Sequence, residues 1–378
     1  MKADVAVVGA GPAGSATALR LARAGWDVLL LEREQLPRYK VCGGGVTRKA
    51  LAELPFVPAD VLERAPTRAL VSVQGQRPAE IRLRDVAAWT VMRDRFDARL
   101  ADAARQAGAR VEHGWGALGV RNGMLLTERG AIEARVIVGA DGAPSRVAAS
   151  VGLQPAARLM PAIEAEVEVP PPALEAWRDT VWFDFDAAPM GYGWLFPKAA
   201  HLSIGLCSLH EKVPGLRERA QRYVGAVLGE TPFQIRSLRG HVLPVGGPRG
   251  PLHAGNVLLV GDAAGVVDPF LGEGIAYALQ SARLAAETID RYLRGELADL
   301  APYTAAVMAA YGREFRLADR LGRLVFRHPR AIDRLAFRNR YVAALFVGVL
   351  TGERSYRRFV RDVWRAPHRL LLGYLGER

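Results

Sequence analysis

Apolar positions along the chain follow three rhythms. Short, almost wholly apolar runs cover Ala3 to Val8, Trp26 to Leu31, Arg135 to Ala140 and Val257 to Val260. Runs of that length bounded by glycine predict parallel strands buried on both faces. Helices are predicted over Ser15 to Ala24, Arg93 to Gln106 and Ile275 to Tyr292, and a strand over Arg110 to His113. The second rhythm is alternation, in Ile163, Ala165, Val167, Val169, then Val181, Phe183, Phe185, then Leu202, Ile204, Leu206. Period two predicts strands of a second, half-buried sheet. Val120 to Leu126 and Ala131 to Val138, with turns at Asn122-Gly123 and Arg129-Gly130, read as a β-meander. Pro170, Pro171 and Pro172 read as a stiff surface turn. The third rhythm begins near Ala301, where the chain turns mostly helical.

The first strand runs into Gly9-Ala10-Gly11-Pro12-Ala13-Gly14 and then a helix, and the second strand ends in Glu32, 23 residues after Gly9. Strand, G-x-G-x-x-G, helix, strand, acid is a dinucleotide-binding arrangement. Its glycines let the backbone approach a pyrophosphate at a helix N-terminus, and its acid accepts from a ribose hydroxyl. Glu32 repels a ribose 2′-phosphate, which leaves FAD or NAD. Two later segments favour FAD. The strand to Ala140 enters Asp141-Gly142, and the strand to Val260 enters Gly261-Asp262 and continues through Gly272-Glu273-Gly274 into a helix from Ile275. An aspartate after a strand suits a ribitol hydroxyl. A glycine-rich helix start offers N–H groups to the flavin edge that becomes negative on reduction. No His or Cys sits in a flavin-attachment motif, so the FAD is expected to be non-covalent.

Composition sharpens this picture. The chain has 378 residues and a net charge of +12. Two cysteines exclude a disulfide scaffold and a cysteine-built zinc or iron–sulfur site, and no histidine spacing suggests a metal. Lys2 and Asp4 at the start speak against a secretory signal, and the apolar run Tyr341 to Leu350 is half the length of a membrane span. A cytoplasmic protein is expected, with no nucleic-acid partner. From Ala301 onward 16 arginines face 6 acids, a net of +10. Arg313, Arg316, Arg320, Arg323 and Arg327 recur three and four apart on one helix face. Pro329 should break or kink that helix. The stripe suggests docking to anionic headgroups, with Tyr341 to Leu350 dipping in beside it; a plain solvated face is the alternative.

The sequence resembles flavoprotein hydroxylases and reductases of the p-hydroxybenzoate hydroxylase fold, and more closely the geranylgeranyl reductase family. The resemblance rests on the loop Pro37 to Gly45, on Met92 to Leu100, on Gly191 to Lys198 (a Y-x-W-x-F-P-K segment) and on Leu350 to Tyr356. It implies an α/β fold with a discontinuous Rossmann-type FAD domain (1–68, 89–155, 246–300). An inserted antiparallel β-sheet substrate domain (69–88, 156–245) and a helical basic C-terminal region (301–378) complete it. Arg33, Lys40, Cys42, Gly43, Gly44 and Arg93 join the cofactor residues by this resemblance. Trp182, Phe183, Phe185, Trp194, Phe196 and Phe270 are the candidates to line an apolar pocket between the domains, with Trp182, Trp194, Phe196 and Phe270 as the selected set and Trp194 and Phe196 first among them.

Cys42, placed near the isoalloxazine by the resemblance, is either a proton donor in catalysis or a small space-filling residue. The implied activity is reduction of carbon–carbon double bonds in a polyisoprenoid by hydride from flavin N5. A flavin monooxygenase of an apolar or aromatic substrate and a non-catalytic prenyl carrier are the rivals, and oxygen consumption separates the first of them. No second nucleotide fingerprint exists. Electrons therefore come from NAD(P)H bound transiently or from a small acidic redox protein such as ferredoxin, steered by the arginines.

Overall fold

The computed structural model describes residues 1–82, 86, 88–155 and 158–366. Its first sheet runs, edge to edge, His253–Ala254, Val257–Leu259, Gly130–Gly139, Lys2–Val8, Val28–Glu32 and Arg110–His113. The last five of these are mutually parallel. Every residue of Val28–Glu32 is buried within the first hydrophobic core. Helix Pro12–Arg23 lies between Arg93–Gln106 and Ile275–Leu293 on one side. The meander forms as three strands, Ala117–Arg121, Met124–Thr127 and the start of Gly130–Gly139. Asn122 and Gly123 supply the two positive φ values, 52° and 74°, that a type I′ turn needs.

The second sheet has seven strands in the order Gln234–Val245, Arg158–Glu168, Leu202–Ser208, Gly191–Pro197, Thr180–Phe185, Arg68–Val73 and Gln76–Arg82. It departs from the expected antiparallel pattern at one place. Thr180–Phe185 pairs in parallel with Arg68–Val73, a strand that arrives from the first part of the chain rather than by a local hairpin. The prolines also differ from expectation. Pro171 and Pro172 open a short helix, Pro171–Ala176, where a missing N–H costs nothing.

One face of this sheet carries Ala165, Val167, Trp182, Leu195, Ile204 and Leu206 under helix Leu216–Leu228. The other presents Met160, Phe185, Tyr192, Trp194 and Cys207, and the C-terminal region packs there. Helix Ala301–Arg327 ends before Pro329, as predicted. Its buried side supplies Phe315 to the first core and Ala318, Val325 and Phe326 to the second. Helix Arg340–Leu350 adds Phe346 and Val349 to the same aromatic cluster. The expectation that Tyr341 to Leu350 dips into a membrane is corrected by this packing: Val342, Leu345, Phe346, Val347 and Val349 are buried, and Phe346 meets Phe185, Phe270 and Phe337. Among the described residues no helix is long and apolar enough to cross a membrane.

Candidate active site

The first turn is built by backbone constraints. Gly9 has φ +102°, and a Cβ there would run into the Ala140 carbonyl carbon at 2.8 Å; one at Gly14 would overlap the Gly9 carbonyl. Those glycines serve close packing of strand, turn and helix. Gly11 differs. A Cβ there would meet only Arg38 Nη2 at 3.9 Å and Arg93 Nη2 at 4.0 Å, so the backbone is open toward two guanidiniums. Gly11 is the N-cap of Pro12–Arg23 and no side chain caps it. Uncapped N–H groups, a backbone without Cβ and two arginines form a cradle for a pyrophosphate.

Both arginines are aimed by Asp97, which is fully buried. Its carboxylate accepts from Arg93 Nε at 2.8 Å, Arg93 Nη2 at 2.9 Å and Arg38 Nη1 at 2.8 Å. Burial works against the Arg93 charge, but Asp97 and then Cys42 outweigh it, and its pKa lies above the ordinary value. Glu32, 5% exposed, accepts from the Ala10 N–H at 3.1 Å and from Arg38 Nη2 at 3.4 Å. Arg33 is exposed and paired with Glu34, outside the cluster that Asp97 holds.

Asp141 and Asp262, alike in sequence, part here. Asp141 caps helix Arg146–Ser150, accepting from Ser145 Oγ at 2.6 Å and from the N–H groups of Arg146 and Val147 at 2.8 and 3.1 Å. Its carboxylate is occupied by that cap, and Gly142 beside it (φ +77°) turns the chain. Asp262 instead reaches toward Gly274, whose Cβ position lies 3.5 Å from Oδ1. Burial raises its pKa, while Lys40 and Arg93 oppose the shift. Gly261 holds φ +58° against Ala13, where a Cβ would sit 2.8 Å from the alanine methyl, so the first and third segments touch. Gly274, beside Asp262, begins helix Ile275–Leu293 with no side-chain cap on its first N–H groups.

The turn before that helix is held by residues the sequence did not single out. Asp268, 1% exposed, accepts from the Phe270 and Leu271 N–H groups, each at 2.8 Å, and from the Tyr356 hydroxyl at 3.0 Å. Tyr192 donates its hydroxyl to the Leu271 carbonyl at 2.5 Å, and Gly272 takes φ +67°. Glu273 faces outward from the turn, accepting from Thr47 Oγ1 at 2.8 Å and pairing with Lys49.

Across the cleft, the loop from Lys40 to Gly45 lies on the second sheet. Lys40 Nζ meets His241 Nε2 at 2.5 Å. Burial and then Arg93 lower the lysine to about 8, and burial and then Lys40 lower the histidine to about 4. The Cys42 N–H donates to Glu164 Oε2 at 2.7 Å, and the Gly44 N–H to Cys42 Sγ at 3.3 Å. A Cβ on Gly43 would sit 3.0 Å from the Phe196 ring and 3.2 Å from Trp194 Nε1. The loop is therefore flush against both aromatics, which share this face as expected.

Trp182 is a correction. Strand alternation turns it to the opposite face from Phe183, where it stacks on Trp177 at 5.9 Å and donates to Ser72 Oγ at 2.8 Å. Phe270 is also corrected: it is 2% exposed, enclosed by Phe185, Phe326, Phe346 and Tyr356. It stands behind the cleft rather than lining it. Phe183 lies next to Phe196, as the sequence allowed, and Tyr192, next to Trp194, is the aromatic that sequence reasoning left out of the pocket. Phe183 belonged to the alternating set, so its phase was available. Glu164 carried no signal, because an acid in an alternating strand reads as solvent-facing.

A parallel sheet with this Gly11 cradle, an acid ending the second strand and an open helix start at Gly274 defines an FAD-binding oxidoreductase. The model for the FAD binding domain matches residues 2–306. The menaquinone reductase of Mycobacterium tuberculosis (strain ATCC 25618 / H37Rv) is 31% identical over 97% of this chain and 96% of its own. Digeranylgeranylglycerophospholipid reductase 1 of Methanopyrus kandleri is 34% identical over 76% and 80%. The geranylgeranyl diphosphate reductase of Rhodobacter capsulatus is 31% identical over 84% and 83%. The chain belongs to the geranylgeranyl reductase family of FAD-dependent oxidoreductases. A geranylgeranyl bacteriochlorophyll reductase-like protein of Thermoplasma acidophilum shares the fold, with a TM-score of 0.77 at 24% identity over 86% of this chain and 88% of its own. A flavin-dependent brominase shares it too, at 0.74 and 18%, over 97% and 100%.

Proposed function

We propose that this protein reduces carbon–carbon double bonds in a polyisoprenoid chain. The observation that carries the reading is that relatives matched over most of their length bear names of reductases of geranylgeranyl groups and of menaquinone. The residues present suit the cofactor: Gly11, Arg38 and Arg93 would hold the pyrophosphate, Glu32 the adenosine ribose, and Asp262 the ribityl chain. The N–H groups after Gly274 would face the flavin's pyrimidine edge. The chemistry that FAD supplies when bound is hydride transfer to one alkene carbon. Trp194 and Phe196 wall the cleft and exclude water from the reacting bond. Cys42 Sγ, held toward the Gly44 N–H, is the atom to which we assign the proton for the neighbouring carbon.

The test couples product to oxygen. With a prenyl substrate and a reductant, a reductase forms saturated product anaerobically, whereas a hydroxylase consumes oxygen in step with product. Product that requires oxygen would overturn the reading in favour of the monooxygenase.

Substrate approach and electron supply are part of the proposal. Arg313, Arg316, Arg320, Arg323 and Arg327 all lie exposed on the outer face of Ala301–Arg327, while its inner face packs on Phe270. Docking to an anionic bilayer through that face would bring the aromatic cluster around Phe270, behind the cleft, within about one helix diameter, roughly 10 Å, of the lipid. Co-sedimentation with anionic but not neutral vesicles, abolished by salt, is the expected result. For the donor we favour a small acidic redox protein over NAD(P)H, and stopped-flow reduction by NADPH at the turnover rate would reverse that choice.

A further inference from the structure

Two charged side chains of the second sheet grip the cysteine loop of the first, and no role in the proposed chemistry has been given to either. Glu164, 3% exposed, accepts the Cys42 N–H on Oε2 at 2.7 Å, and its Oε1 accepts from Ser203 Oγ at 2.6 Å. Ser203 in turn accepts from Trp194 Nε1 at 3.3 Å. Lys198, 1% exposed, donates to the Gly43 carbonyl at 2.6 Å and to the Val91 carbonyl at 2.7 Å. A carboxylate thus holds the N–H at one end of the Cys42–Gly43 segment and an ammonium holds the C=O at the other.

We infer that Glu164 and Lys198 are positioning residues that fix the Cys42–Gly43 segment, and with it the Cys42 thiol, against the flavin cleft. Burying two full charges is costly unless each is well paired. Neutral side chains could close the same bonds at less desolvation cost. Charged ones make stronger, shorter bonds, and opposite charges at opposite ends of the segment both act along its peptide dipoles. Gly44 fits the same account. It sits at φ +66° with its Cβ position 2.5 Å from Lys198 Nζ, so only glycine lets the lysine come this close. The Trp194–Ser203–Glu164–Cys42 chain also ties the thiol's position to an aromatic wall of the cleft.

The inference rests on the flavin reading of this cleft, but its test needs no substrate. Purified, FAD-loaded protein is alkylated with iodoacetamide, and both cysteines are followed by peptide mass. Cys207, 1% exposed in the sheet core, reports global opening, and Cys42 reports the loop. In Glu164→Gln one of the two donors facing the carboxylate loses its acceptor, and in Lys198→Met two carbonyls lose their donor. Cys42 alkylation is expected to rise by about tenfold in each, the factor that loosening one charge-assisted bond gives, with Cys207 unchanged. If either variant fails to fold, Ser203→Ala, which removes a single hydroxyl, is expected to raise the Cys42 rate in the same direction. Cys42 rates that stay at the parent value, or that rise only together with Cys207, would overturn the inference. Absence of prenyl reduction with a raised Cys42 rate would count against the proposed function alone.

Discussion

Replacing Tyr356 with phenylalanine removes one oxygen atom and tests how the C-terminal region supports the cleft. Asp268 Oδ1 keeps the Phe270 and Leu271 N–H groups, but Oδ2 accepts from the Tyr356 hydroxyl, at 3.0 Å. The variant leaves that buried oxygen bare. Loss of a hydrogen bond to a charged group costs about 2 kcal/mol, which for a chain of this size lowers Tm by about 2–3 °C. The loss must depend on pH. Burial already raises the Asp268 pKa above the ordinary aspartate value. A carboxyl raised in the folded state destabilises the fold fully above its folded pKa and not at all below its unfolded one. Removing the hydroxyl raises it further and widens that window upward. Thermal melts of parent and variant, followed by circular dichroism at pH 8 and pH 5, should show the gap narrowing as pH falls. An equal Tm at pH 8, or the same deficit at both pH values, would refute the reasoning. The second outcome would mean that packing around Phe270, rather than the carboxylate, is what Tyr356 serves.

Other expectations follow from single contacts. Gly11→Val should fold, since no protein atom lies within 3.9 Å of its Cβ position, yet purify colourless; retained yellow protein would contradict the cradle. Asp97→Asn leaves the largely buried Arg93 guanidinium without its carboxylate and Arg38 with Glu32 alone, and should lower stability by about 3–5 kcal/mol in urea unfolding. Lys40, lowered to about 8, makes folded protein without cofactor less favourable when charged; that cost is full below pH 8 and gone above the unfolded lysine value. FAD, an anion near it, should therefore bind more tightly as pH falls through 8, and Lys40→Gln should flatten that profile in a fluorescence titration. Trp182→Phe should lower Tm with no change in KM for a prenyl substrate, whereas Phe196→Leu should raise KM.

The sequence showed most of the first sheet, because its strands are short apolar runs and its turns need glycines at fixed offsets. Gly9, Gly11, Gly14 and Glu32 were readable from spacing alone. Asp141 was not separable from Asp262, since both follow a strand beside a glycine. What differs is Ser145, Arg146 and Val147, the helix start that claims the first carboxylate. The second sheet was visible as alternation, yet Trp182 was placed on the wrong face although Phe183 and Phe185 already fixed the phase. Glu164, Asp268 and the inward packing of Phe346 were not legible. Each depends on which distant element comes to rest opposite, and local periodicity carries no such information. The cis-acting clues that did exist lay in short motifs, where Arg38, Lys198 and Tyr356 stood beside residues chosen for other reasons.

The central claim, alkene reduction by an FAD-loaded chain, is tested most directly by one anaerobic turnover. The flavin is reduced with dithionite, the excess is removed, and geranylgeranyl diphosphate is added, with menaquinone in a parallel sample. The lipid is then weighed by mass spectrometry while the flavin is followed by absorbance. The account predicts that yellow colour returns as one of the two lipids gains two hydrogen atoms, in equal amounts. Flavin that stays reduced beside both unchanged lipids, and reoxidises with a new oxygen in the lipid only when air is admitted, would contradict it.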